Sequence, residues 1–222
     1  MSVKSGKVRI LTLSDLEEKT DREIINLLDQ YIRKQFDAII VFSDISDCVK
    51  VALSDIMGIK IRVSDTGVKI LGSEAKETPF CEVQTRLAHL IAVKSGDNFP
   101  FHQIEKCQTS DILISSRPPL EINLNPEETE RKAEYLREIK DIYDDSGGDE
   151  FSEKDLKRQR ELEKIYMDKA GDGEVNLYMY CAQPKVILHS GRNCSKTIKI
   201  GDTNIISVHG VQPVTINFTE RG

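Results

Sequence analysis

Asp37-Ala-Ile-Ile-Val-Phe-Ser-Asp-Ile-Ser-Asp47 is the stretch whose reading decides the fold. Ala38 to Phe42 is an unbroken, β-branched-rich apolar run, and it stops at the polar turn Ser43-Asp44-Ile45-Ser46-Asp47. A run this short, bounded by turn residues, predicts a strand buried on both faces. An earlier strand, Val8 to Leu13, ends in the same way at Ser14-Asp15. In layered α/β proteins ligands bind just past the carboxyl ends of such strands. Two neighbouring strand ends, each with a carboxylate, predict the rim of a metal or phosphate site.

Working outward, Asp21 to Gln35 predicts a helix with Ile24, Ile25, Leu27, Leu28, Tyr31 and Ile32 as its apolar stripe and Thr20 or Asp21 as its cap. Cys48 to Met57 predicts a second helix ended by Gly58, and Ile59 to Val63 a third strand. Val68 to Leu71 reads as a short strand of a second sheet, and Thr85 to Val93 as helical. Asp111 to Ile114 and Pro184 to Leu188 are further buried strands. Thr197 to Val208 reads as a hairpin turning at Gly201-Asp202-Thr203, and Val214 to Phe218 as a last edge strand.

The region from Asn125 to about residue 170 differs in character. Asn125-Pro126-Glu127-Glu128 is a strong helix start, and Ala133, Leu136, Ile139 and Tyr143 continue a helical stripe. Asp144 to Glu150 breaks it, and Leu156, Leu162, Ile165 and Tyr166 mark a second helix. Residues 125–170 are expected to form a charged helical arm inserted into a single domain, 1–222. The alternative is a pair of ordinary surface helices covering the sheet.

Composition narrows the classes. The chain of 222 residues is 39% hydrophobic and 31% charged, with a formal net charge of −6, so it carries no global basic footprint for nucleic acid. No run is long and apolar enough to span a bilayer, and the start lacks a secretory apolar region. Five scattered cysteines without a CxxC pair argue for a reducing, cytoplasmic setting and against a zinc knuckle. His89 falls in the stretch read as helical, His102 in a loop, and His209 after the hairpin. Each is expected to be packed or exposed rather than catalytic.

The order of strand–Ser-Asp, helix, strand–Ser-Asp, and a late strand with a hairpin resembles the calcineurin-like metallophosphoesterase family. Ile114-Ser-Ser-Arg-Pro-Pro119, Pro184-Lys-Val-Ile-Leu-His189 and Ile200-Gly-Asp-Thr203 follow in the order seen in its smaller members. The resemblance implies a four-layer α/β/β/α sandwich of metallophosphoesterase type, here with an inserted charged helical hairpin. It also implies two metals held by Asp and His. Asp15 stands at the first aspartate, with Glu17 where a histidine is usual. Asp44 stands at the bridging aspartate, with Ser43 in place of glycine and Asp47 at the variable acid or amide. Val63-Ser-Asp65 occupies the Asn-His segment, Ser115 or Ser116 the strand-end histidine, and Ser190-Gly-Arg-Asn193 the paired histidines.

Two-metal hydrolysis needs both ions to activate water and clamp the reacting oxygens. Without the nitrogen ligands, Asp15 and Asp44 are expected to be a vestigial metal site, with no resident cofactor. The leading expectation is a catalytically inactive metallophosphoesterase-like scaffold or adaptor that meets a protein partner through the 125–170 arm, with no membrane. The alternative is a phosphoesterase or phosphodiesterase using one Mg²⁺ or Mn²⁺ in a reduced, carboxylate-only site built on Asp15 and Asp44, with Glu17 as a further oxygen ligand. A third reading, nucleic-acid binding through the arm, rests on Arg131, Lys132, Arg137 and Lys140 of its first helix and Lys154, Lys157, Arg158, Arg160 and Lys164 of its second, which are interleaved with acids.

Overall fold

The structure is a computed structural model and describes residues 5–95, 110–119, 175, 178–179, 182–191 and 196–219. The chain divides into two compact units, Met1–Arg117 with Glu174–Gly222, and Pro118–Gly173. The expected arm at 125–170 lies outside the described residues, as do Phe99 to Lys106 and His102.

The first unit holds two sheets. In the first, β1 (Ser5–Ser14), β2 (Gln35–Val41), β3 (Met57–Val63), β4 (Val68–Ile70) and the C-terminal strand β11 (Gly210–Thr219) take the order β11-β1-β2-β3-β4. The second is built from β5 (Phe80–Gln84), β6 (His89–Val93), β7 (Ile112–Ser115), β8 (Val186–Ser190), β9 (Lys196–Ile200) and β10 (Thr203–Val208), in the order β5-β6-β7-β8-β10-β9. Strand β11 runs antiparallel along all of β1. β1, β2 and β3 are mutually parallel, so their carboxyl ends lie together.

Alternation explains the layering. Val8 and Ile10, Ala38 and Ile40, and Ile61 and Val63 share one core with Leu90, Ala92, Ile112, Ile114, Val186 and Leu188 from the second sheet. Leu11, Leu13, Ile39 and Val41 turn the other way, onto Ile24, Leu28, Val49 and Leu53 of two helices. These are α1 (Asp21–Asp29) and α2 (Asp47–Ser54). Helix, sheet and sheet are therefore three layers. The far face of the second sheet is also buried, at Ile91, Leu113 and Ile187, and so are Val175, Tyr178 and Met179. Ser110 and Tyr178 hydroxyls meet at 3.1 Å. The described residues give three of the four layers that the resemblance implies.

Each helix starts where its cap dictates. The Thr20 hydroxyl accepts from the Glu23 amide while the Glu23 carboxylate accepts from the Thr20 amide, a capping box. Ser46 caps α2 by accepting from the Val49 amide. α1 stops at Asp29, earlier than the stripe suggests, because Gln30 is its C-cap and Arg33 adopts φ 71° to turn the chain into β2. Gly58 belongs to β3 rather than ending α2: at φ +145° a Cβ there would sit 2.9 Å from the Phe36 carbonyl oxygen. It permits the register shift between β2 and β3 at Gln35/Ala38.

Two sequence expectations are corrected. His89–Val93 is a strand, not a helix. Its residues are apolar on both faces because Leu90 and Ala92 enter the inter-sheet core while Ile91 and Val93 are buried opposite, a pattern that mimics a buried helix. Val68–Ile70 joins the first sheet, pairing antiparallel with β3 through the tight turn at Ser64–Gly67.

Candidate functional site

The carboxyl ends of β1, β2 and β3 carry Asp15, Asp44 and Asp65, and each carboxylate meets a different partner. Asp15 follows β1 with φ 51°, a left-handed conformation that aspartate tolerates better than most residues. Its Oδ2 lies 3.1 Å from His209 Nδ1, just past the end of β10. The same oxygen accepts from the Ser14 hydroxyl at 3.1 Å. Ser14 Oγ is also 2.6 Å from Ser190 Oγ at the end of β8. A hydroxyl has one proton, so with that of Ser14 committed to Asp15, Ser190 donates to Ser14. Asp15 thus terminates a relay that ties the first sheet to the second.

Asp44 pairs with the guanidinium of Arg62 on β3, which also stands 3.9 Å from Glu77. Arg62 alternates with Ile61 and Val63, both in the inter-sheet core, so its side chain leaves β3 on the opposite face. Asp65 is held most completely. Arg117 donates to its Oδ2 from Nε at 3.1 Å and from Nη2 at 2.7 Å, and the Ser116 hydroxyl donates to Oδ1 at 2.5 Å. The Arg117 amide in turn donates to the buried Ser95 hydroxyl at 3.1 Å.

Several of the remaining positions singled out in the sequence make local contacts, and Arg192 and Asn193 lie outside the described residues. Glu17 is exposed. Ser43, where the family has glycine, accepts from the Leu16 amide at 3.2 Å and closes the β1 turn against β2. Asp47 binds Lys50 at 2.7 Å, which holds its carboxyl below the usual range. Ser115 donates to the Arg117 carbonyl at 2.7 Å, shaping the turn that presents Arg117. His189 is completely buried on β8, its Nδ1 2.7 Å from the Ser190 carbonyl. Burial pushes its pKa down to about 4, against a smaller upward pull from that hydrogen bond.

Among the described residues, no three His, Cys, Asp or Glu side chains gather as a group able to hold a metal ion. Metals of the phosphoesterase type call for a mixed carboxylate and imidazole shell. The donor set of the described residues does not fit a two-metal centre: guanidinium groups and serine hydroxyls stand at the ends of β3 and β7.

Sequence reasoning found two of the acidic strand ends, Asp15 and Asp44, placed Asp65 only in a turn after the third strand, and missed the partners of all three. Arg62 could have been flagged as a cation alternating with core residues near the end of a strand. His209 sits at the carboxyl end of β10, where the same strand-end rule that picked out Asp15 applies. Arg117 had no local signal, since its partner is 52 residues away.

Two mixed sheets with few helices among the described residues fit a metallophosphoesterase-like α/β fold. Solved structures with likeness to this chain include a predicted phosphoesterase of Streptococcus pneumoniae, at 9% identity and a TM-score of 0.39, covering 95% of this chain and 84% of that one. A Vps29 variant of Entamoeba histolytica matches at 5% identity and a TM-score of 0.41, covering 91% and 74%. Vps29 of Chaetomium thermophilum matches at 8% identity and a TM-score of 0.39, covering 96% and 100%. A likeness at this level says nothing of family, activity or partners. No family model matches the chain, and no curated protein matches it. Among the described residues no helix is long and apolar enough to cross a membrane.

Proposed function

We propose that this protein is a catalytically inactive metallophosphoesterase-like scaffold or adaptor that works by binding another protein. The observation that carries the reading is Asp65 clasped by both Arg117 nitrogens and by Ser116. A guanidinium supplies fixed positive charge and directed donors, but it offers no coordination site at which water could ionise. Arg62 on Asp44 and His209 on Asp15 extend the pattern. On this reading Asp15 and Asp44 are remnants of a metal site: Arg62 neutralises Asp44, Arg117 neutralises Asp65, and Asp15 shares a hydrogen bond with His209. These pairs are partly exposed and each is worth under about 1 kcal/mol, so their consequence is chemical rather than a matter of stability.

The charged 125–170 segment, with its apolar stripe, is the part of the sequence best suited to meeting a protein partner. Free Cys48 and Cys81 support a reducing compartment such as the cytoplasm. The competing reading is a metal-dependent phosphoesterase with a carboxylate-only site at Asp15 and Asp44. The two are separated by hydrolysis of bis(p-nitrophenyl) phosphate with Mn²⁺ or Mg²⁺ added. We expect no metal-dependent turnover above that of Asp15→Ala/Asp44→Ala. Turnover that depends on the ion and disappears in the double variant would establish the phosphoesterase instead.

A further inference from the structure

The opposite end of the first sheet carries a different electrostatic pattern. Near the amino ends of β1 and β2, the Arg9 guanidinium lies over the Phe36 ring, 5.2 Å from its centroid. Phe36 meets Tyr31 edge to face at 5.9 Å. The Lys34 ammonium lies over Tyr31 at 5.0 Å. The four side chains form one continuous stack, cation, ring, ring, cation. Lys7 projects from the same face of β1 as Arg9, and Arg33 precedes Lys34 in the turn.

All four cations are exposed, and among the described residues none has a carboxylate ion pair. Arg62 and Arg117, at the other end, are each spent on an aspartate. The nearest acid by register is Asp37 beside Arg9, and its Oδ2 accepts the Arg9 backbone amide at 2.8 Å. A cation held over a ring keeps its charge available on its outer side, whereas one held by a carboxylate does not. The stack also fixes two long side chains in place before any partner arrives, which lowers the entropy lost on binding.

We propose that this surface, Arg9 and Lys34 on their aromatic platform with Lys7 and Arg33 beside them, docks an acidic segment of a partner protein. The inference deepens the scaffold reading and rests on it. Charge complementarity selects the partner: a cluster of positive charge on a chain of net charge −6 suits a short run of Asp and Glu. A nucleic acid fits less well. Phe36 is 3% exposed and Tyr31 7%, so neither ring offers a face on which a base can stack. Ile32, 40% exposed in the same turn, supplies an apolar contact beside the cations.

The test is fluorescence anisotropy of a labelled oligoglutamate peptide titrated with the full chain at low and physiological salt. Saturable binding that weakens with salt is expected, and Lys7→Glu/Arg33→Glu should weaken it about tenfold or more. Among the described residues neither side chain makes a hydrogen bond, ion pair or ring contact, and an unchanged thermal midpoint will confirm that the variant is folded. Lys196→Glu/Lys199→Glu, the same charge change on exposed residues of β9, should bind as the wild type does. No binding, or equal losses in both variants, would overturn the proposal. So would tighter binding of a single-stranded oligonucleotide through Lys7 and Arg33, which would assign the surface to nucleic acid. A failure here leaves the hydrolysis result untouched, so the docking surface and the loss of catalysis stand or fall separately.

Discussion

Ile40→Ala is expected to destabilise the protein by about 2–5 kcal/mol, measured by urea or thermal unfolding. Ile40 has no exposed surface and lies on β2, the central strand of the first sheet, with Thr12 of β1 and Ile61 of β3 as its register partners. Its side chain enters the core shared by the two sheets. Truncation removes apolar contact from both layers, and strands held in register on either side leave little freedom to close the gap. The matched control is Val51→Ala. Val51 is 68% exposed on α2, so its loss should change stability by less than about 0.5 kcal/mol. Equal effects at the two positions would contradict the packing of one sheet on the other.

Acidification should produce the second large effect. His189 titrates near pH 4 in the folded protein because burial disfavours its charged form. In the unfolded chain it takes up a proton near pH 6.5. Between these values the unfolded state binds more protons, so stability falls as pH drops from about 6.5 to about 4, and is complete above that window. The loss amounts to about 3 kcal/mol. His189→Leu removes the titrating group, and its unfolding free energy should lose that much less than the wild type between neutral pH and pH 4. Parallel pH profiles would mean that the imidazole accepts its proton in the folded state without penalty.

The same physical rules explain what the sequence revealed and what it hid. The Ala38–Phe42 run was legible because a central strand between two apolar layers has no polar face to interrupt it. Asp15 and Asp44 were legible because the strand ends place them. The hairpin turning at Gly201 was legible too, and that glycine adopts φ +56°. The Leu90–Val93 run was misread because a strand buried on both faces loses its period-two signal. Assigning Val68–Ile70 to the wrong sheet has a different cause: alternation tells which face a residue takes, not which neighbour its strand pairs with. The site's partners were hidden for a third reason. Arg62–Asp44, Arg117–Asp65 and His209–Asp15 span 18, 52 and 194 residues, and no local pattern encodes contacts of that range.

The account turns on whether the acidic strand ends are satisfied by the protein's own side chains. Calorimetric titration of the metal-stripped protein with Mn²⁺, beside Asp15→Ala/Asp44→Ala, tests that most directly. The account predicts no saturable binding in either protein. Tight, stoichiometric binding that vanishes in the double variant would contradict it, showing that Asp15 and Asp44 leave His209 and Arg62 to hold an ion.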